Sequence, residues 1–593
     1  MRKTIIGFEV SIVQRFFIEK SIELLHQYTI DLYRLRLHNS LTILEELADV
    51  ADKLRKNQLK NEIYVKDVLQ EAFYLLKEDK LLEWRAYKLD YLRELMDKPS
   101  EKLGKIFLFA KSMLKYNSEY HAVVFSKLTE TLITLVDDDT DLDKLRPVSS
   151  LISSHWINMV RKGYSKAYLH RILRAWSKND QITIEEFLGR IESLISKEEE
   201  VVTAIFSVKG VDPSITPSTD RITFLTDGEK ETYQQIEGPA NSYLNGTSVS
   251  YIKIQASALD YYTAVNRAKN ILHSELDLWH LSKNNFKARF HNKVLVIGAN
   301  TPDRSHYQNY FYQIDGFYSR KQSVYDDLLE KLQQIQERDI HPNALEKIRA
   351  GLRYYRQGSS SMELHNKLLN YWIGIEFIFS AYDNDGGTIG RLKLYFSKMQ
   401  SLVLFKRIAL DFHQSVKELE VSADVPGFDP TDVEYLMNEN VYDTIIGNFA
   451  AHPLLSYRAA SLKRLLSDTK NISSMATNSL ENVKRNLTRI YRIRNEIVHN
   501  ASSITGIETI VSHLKYYLIF SLYSVLDFFA TRAEDFNFDN KIDIDDFFEL
   551  REMKYDNFFP SAKSKVDIDQ LKRYKLAVEH IIYFTEDNQA QEG

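Results

Sequence analysis

No cysteine occurs in the 593 residues. Disulfides, zinc ribbons and cysteine nucleophiles are thereby removed together, and a reducing compartment, the cytoplasm, is the expected location. Proline and glycine are also scarce, at 11 and 20 residues, which leaves little room for disordered linkers or collagen-like repeats. No stretch reaches the ~20 apolar residues needed to span a bilayer. The nearest candidates, 368–379 and 514–529, are broken by Glu376 and by Lys515 and Asp527, so no membrane partner is expected. Glu9 and Arg15 interrupt the amino-terminal apolar run, and no signal peptide is expected there. The glycine-rich run at 386–390 lacks a Gly-Lys-Ser/Thr ending, which argues against a P-loop nucleotidase. A formal net charge of −5 excludes little, since a compact basic face can coexist with it.

What is present is long helical periodicity. At roughly one domain per 150 residues, the length predicts three or four units, mainly α. Residues 1–200 repeat apolar positions at helical spacing, as at Phe17, Ile22 and Leu25, and predict a helical region, which by elimination alone is the candidate sensor. An acidic turn is expected at 137–143, with solvated carboxylates rather than a cation site, and a helix capped by Ser165 follows. From 201 to 316 the texture changes to short β-branched runs, at 201–208, 221–225, 249–255 and 293–297, with a helix at 259–276 between them. That pattern predicts a small α+β domain. Phe286 and Phe290 interleave with Lys287, Arg289 and His291 in a way that suits single-stranded nucleic acid, although a strand edge with a solvated basic side is the plainer reading. A connector helix is expected over 317–339. Helices over 344–357, ending at Gly358, and 364–379 follow, the second capped by Ser359–Ser361 and apolar except for Glu376. Residues 381–477 fit neither period and read as an insertion, with helices at 392–410 and 431–438.

The chemistry concentrates in a helix expected over 478–500. At 100° per residue, Val483, Leu487, Ile490 and Ile497 form a buried stripe, while Arg485, Arg489, Arg492 and His499 form a basic face. Arg494 falls on the apolar side and must pair with a carboxylate or point into a shared interface; Glu376, the other charge stranded on an apolar helix, is the candidate partner. Arg494 and His499 stand about 140° apart on the wheel, so they meet in one cleft either by the arginine curling around or by two copies of the helix facing each other.

Arg494-Asn495 followed by His499, the R-N-x-x-x-H arrangement, resembles the signature of HEPN ribonucleases. The order of a Tyr-Tyr-Arg-Gln helix, a Trp-Ile-Gly-Ile-Glu-Phe helix, the motif helix and an apolar closing helix at 507–529 is similar to the Apea-like HEPN branch, over 340–530. The resemblance implies a carboxyl-terminal up-and-down helical bundle, a homodimer or higher homo-oligomer with a composite active site, and metal-independent RNA cleavage needing no cofactor. By motif, Arg494, Asn495 and His499 carry over as catalytic and Glu376 as the supporting acid; Arg485, Arg489 and Arg492 are then expected to hold RNA phosphates. The 2′-hydroxyl is the nucleophile, His499 moves the proton and arginine stabilises the phosphorane. Large proteins of this branch resemble antiviral toxin effectors released by a phage-derived or host trigger. A non-catalytic HEPN module that binds RNA or scaffolds a partner is the alternative. Ala501 departs from the HEPN toxins paired with nucleotidyltransferase antitoxins, which carry tyrosine there, so modification by such a partner is not expected.

In the extension over 531–593, Asp535, Asn537, Asp539, Asp543 and Asp546 match the oxygen positions of a calcium loop. Asn540 replaces the usual glycine and Asp546 the usual glutamate. Surface acids without metal are the plainer expectation.

Overall fold

The computed structural model describes residues 4–26, 38–85, 87–135, 142–213, 219, 221–246, 248–282, 288–312, 322–338, 340–380, 387–431, 433–448, 451–467, 469–500, 506–532 and 542–559. The chain is mainly helical with one antiparallel sheet, and divides into two compact units. One joins residues 1–155 to 314–593; the other is 156–313.

The second unit is built on five strands, β1 (Glu200–Lys209), β2 (Thr223–Phe224), β3 (Ser250–Ala258), β4 (Arg289–Gly298) and β5 (Thr301–Asn309), in the order β2-β3-β1-β4-β5. Val202, Ala204, Phe206 and Val208 of β1 alternate onto one face. There Ala264, Val265, Ala268 and Leu272 of the helix Tyr261–Ser282 cover them, as a strand period of two meeting a helical stripe requires. The expected α+β unit is present, with a fifth strand, β5, whose polar sequence carries little strand signal at this sheet edge. It also reaches back to Trp156. Buried Asp260 explains part of that extension, because its carboxylate accepts from the Ser165 N–H at 2.7 Å and the Thr263 N–H at 2.9 Å. Ser165 is the expected N-cap, accepting from the Tyr168 N–H.

In the first unit, the helices Pro342–Ser360, Leu364–Phe379, Thr469–Asn500 and Glu508–Asp527 pack together. Gly358 does not end the first of these. A Cβ there would lie 2.5 Å from the Tyr371 ring, so the glycine admits a neighbouring helix rather than turning the chain. Glu363, and not the serine run, is the N-cap of the second helix. The motif helix is 32 residues long, beginning at Thr469 rather than 478. The helix expected over 392–410 is present, as a π-helical turn Leu392–Phe396 running into the helix Ser397–Glu418. The described residues of 431–438, by contrast, hold only the short 3-10 turn Glu434–Met437; Glu439–Asn448 and Pro453–Ser467 are further helices of the same unit. Helices Ser40–Arg55 and Ile63–Glu78 contribute Leu44, Leu47, Val65 and Leu69 to a core against which Tyr491 of the motif helix packs.

Glu19, on the helix Ile12–Leu25, is buried and accepts from the Leu454 N–H at 3.2 Å. Burial pushes its carboxyl up to about 8, against smaller opposing effects from that N–H and Arg15. Because the folded chain keeps a proton that the unfolded chain releases, the associated stability is complete below the ordinary glutamate range and is lost as pH rises through about 8. The wild-type melting temperature should therefore fall between pH 6 and pH 9 by more than that of Glu19→Gln, measured by calorimetry. Parallel profiles would refute this.

Candidate functional site

The motif helix is buried along Val483, Leu487 and Ile490 of the expected stripe, while Ile497, its fourth member, is only half-buried. Glu376 and Arg494 are brought together as expected, with Arg494 Nη2 3.9 Å from Glu376 Oε2. Their side chains retain 30% and 24% of their exposure, so the pair lies on the flank of the packed helices rather than deep within them. An ion pair this open contributes at most about 1 kcal/mol. Its interest is geometric. Arg494 Nη1 donates to Asn495 Oδ1 at 2.9 Å, and Asn495 Nδ2 donates to Tyr64 Oη at 3.4 Å. The guanidinium is thus held between a carboxylate and an amide, while its buried Nε has no hydrogen-bond partner among the described residues.

His499 lies five residues further along, in the last turn, with an exposed side chain. The helix rise separates its Cα from that of Arg494 by about 7.5 Å along the axis. One copy of the helix therefore gathers Glu376, Arg494 and Asn495 and leaves His499 apart. Ala501 lies outside the described residues.

The basic face is where structure and expectation part. Arg489 and Arg492 do not stand open to a phosphate: each side chain is only 7% exposed and both are engaged by acids. Glu46 takes Arg489 Nε at 2.8 Å and Arg492 Nη2 at 2.6 Å, while Glu71 takes Arg489 Nη2 at 2.7 Å. Thr488 donates to Asp67 at 2.8 Å, with Lys393 3.3 Å from the same carboxylate. Burial alone would raise Glu46, but Arg489 and Arg492, with His38, more than offset it and hold the carboxyl well below its usual range. His38, 3.1 Å from Glu46, is lowered by burial and then by Arg489. Arg485 lies over the Tyr74 ring, 5.4 Å from its centroid. The cavity left between these side chains is about 10 Å³, room for one water and no more.

Glu46, Asp67 and Glu71 were not singled out from sequence, yet a signal existed. For the second and third of these, Asp67 and Glu71 recur at i and i+4 on one helix and Arg485, Arg489 and Arg492 at i, i+4 and i+7 on another, an acidic and a basic stripe; nothing comparable marks Glu46, on a different helix.

Of the calcium-loop candidates, Asp535, Asn537 and Asp539 lie outside the described residues. Asp543 and Asp546 form a capping box on the helix Ile544–Phe558: Asp543 is the N-cap and its N–H donates to Asp546 Oδ2 at 2.7 Å. No grouping of three metal-ligating side chains occurs among the described residues, and no helix among them is long and apolar enough to cross a membrane. Of the acidic turn expected at 137–143, residues 137–141 lie outside the described residues, while Asp143 stands in the first turn of the helix Leu142–Lys162 with its carboxylate 3.0 Å from Arg464 Nη1. Phe286 and Lys287 also lie outside the described residues. Phe290 does not offer a stacking face, because it packs on Tyr310 with ring centroids 5.3 Å apart. No protein-family model, curated protein or solved structure matches the chain.

Proposed function

We propose that the chain is a metal-independent endoribonuclease of HEPN type. The observation that carries the reading is the Glu376–Arg494–Asn495 cluster, with the exposed His499 in the last turn of the same helix. In this chemistry RNA supplies its own 2′-hydroxyl nucleophile. His499 moves the proton, and Arg494 stabilises charge on the phosphorane, leaving a cyclic phosphate and a free 5′-hydroxyl.

The angular separation of Arg494 and His499 favours a homodimeric, composite site. Val498 and Phe377, 46% and 39% exposed, are the chain neighbours of His499 and Glu376, and such apolar side chains suit a face that a second copy covers. The setting is a cytoplasmic antiviral or toxin effector, with a phage-derived or host trigger acting through the amino-terminal helices. The family assignment rests on the motif and helix order.

One observation favours a non-catalytic HEPN module instead. Arg489 and Arg492, on the face expected to grip RNA, are spent on Glu46 and Glu71, as in an internal fastener. Incubation with total RNA in EDTA separates the readings. New cyclic-phosphate ends are the expected result; binding without cleavage would assign the scaffold.

A further inference from the structure

With Arg489 and Arg492 paired internally, a further group of cations free to meet a polyanion lies elsewhere. This group stands at the end of the sheet. In β1, Ile205 points away from the helix-covered face, and alternation places Ser207 and Lys209 on the same side. In β4, Leu295 shares that side, and Lys293 joins it with its ammonium 4.7 Å over the Tyr307 ring centroid. His291 joins it against Tyr243, ring centroids 5.8 Å apart. Arg289, flanking inward-facing Phe290, completes the row. Lys209, Arg289, His291 and Lys293 are all exposed, and none is paired with a carboxylate among the described residues.

Two features show that this is more than scattered surface lysine. Lys209 and Arg289 are direct cross-strand partners in register, an arrangement of like charges that destabilises a sheet unless an anion neutralises it. The register between β1 and β4 also breaks here. Phe206 faces Val294 and Val208 faces Phe290, so 291–293 bulge opposite Ser207 alone. The bulge is pinned by one side chain. The Tyr243 hydroxyl accepts from the Ser207 N–H at 2.9 Å and lies 3.1 and 3.0 Å from the Ile205 and Lys293 carbonyls, to which it donates. Bulges re-aim side chains next to functional sites, and this one carries His291 and Lys293 out of the ladder on a backbone anchored by a buried phenol.

We propose that this sheet end binds the phosphodiester backbone of single-stranded RNA, with Lys209, Arg289, His291 and Lys293 as contacts and Tyr307 as a flanking ring. The choice of RNA over an acidic protein rests on the ribonuclease reading above. Binding is non-specific in sequence, because backbone contacts carry no base information, and strongly salt-dependent.

The test uses full-length protein carrying His499→Ala, so that binding is read without cleavage, and a fluorescent oligouridine. The triple variant Lys209→Gln, Arg289→Gln, Lys293→Gln should bind about tenfold or more weakly at 0.15 M salt. Its slope of log affinity against log salt should be shallower by about 2, at about 0.7 per lost contact. Lys209→Arg with Lys293→Arg should bind like the parent, and circular dichroism should be unchanged throughout. Unaltered affinity or slope in the triple variant overturns the inference. So does polyglutamate competing as well as RNA at equal charge, which would assign an acidic protein partner. The two readings fail separately: binding lost in the triple variant with no cleavage by wild type upholds the sheet surface and sinks the nuclease, while cleavage with unchanged binding does the reverse.

Discussion

Replacing Glu46 by alanine is expected to destabilise the helical unit by about 3–5 kcal/mol, because removing one member of a buried ion pair leaves the other charge uncompensated. Here two guanidiniums are stranded, each side chain only 7% exposed. Glu71 still reaches Arg489, and Glu496 lies 3.6 Å from Arg492 Nε, which limits the loss. Glu46 sits below the usual carboxylate range in the folded chain, so its contribution is present above the unfolded value and is lost as pH falls through the folded one. The gap between wild type and Glu46→Ala in denaturant unfolding should therefore hold steady above about pH 6 and close on acidification, the unfolded value lying near 4.3. A triple replacement of Glu46, Arg489 and Arg492 by methionine should recover most of the loss, since apolar residues of similar size often replace buried ion pairs without cost. A loss below about 1 kcal/mol in Glu46→Ala would show that the network is solvated in solution.

His499→Ala is expected to reduce RNA cleavage by about 10²–10⁴-fold, the contribution of a positioned acid–base group. Stability should be unaffected, because the side chain is exposed and has no hydrogen-bond or ion-pair partner among the described residues. That combination makes the variant decisive: a fall in rate cannot be assigned to unfolding. Mixing His499→Ala with Arg494→Ala protein adds a second readout. In a composite site with one catalytic group from each copy, a mixed dimer regenerates one intact cleft and recovers part of the wild-type rate. Cleavage retained by His499→Ala alone would remove the histidine from the mechanism.

Much of the fold was legible. The apolar stripe at Val483, Leu487 and Ile490, the alternation in β1 and the Ser165 cap each express a local periodicity or a local hydrogen bond. The proximity of Glu376 and Arg494 was legible for another reason, since two charges on apolar helices each need a counter-charge. What failed to show were properties set by distant residues. Gly358 reads as a terminator until Tyr371 is seen against it. Arg489 and Arg492 read as phosphate ligands until Glu46 is placed, because a helical wheel says which side a guanidinium takes and nothing about what meets it there. β5 was missed since its polar edge sequence has neither the β-branched run nor the clear alternation that marks its neighbours.

The Glu46–Arg489 bond joins residues 443 positions apart, and that separation has a consequence on the ribosome. When helix Ser40–Arg55 emerges, its counter-charges lie hundreds of codons from being translated. Residues 156–313, by contrast, form a contiguous unit that can fold as it appears. The acids therefore wait, hydrated, through most of synthesis. The fastener closes only after the motif helix has left the exit tunnel, so the amino-terminal helices are in place to meet Arg489 and Arg492 from the moment those arginines first exist.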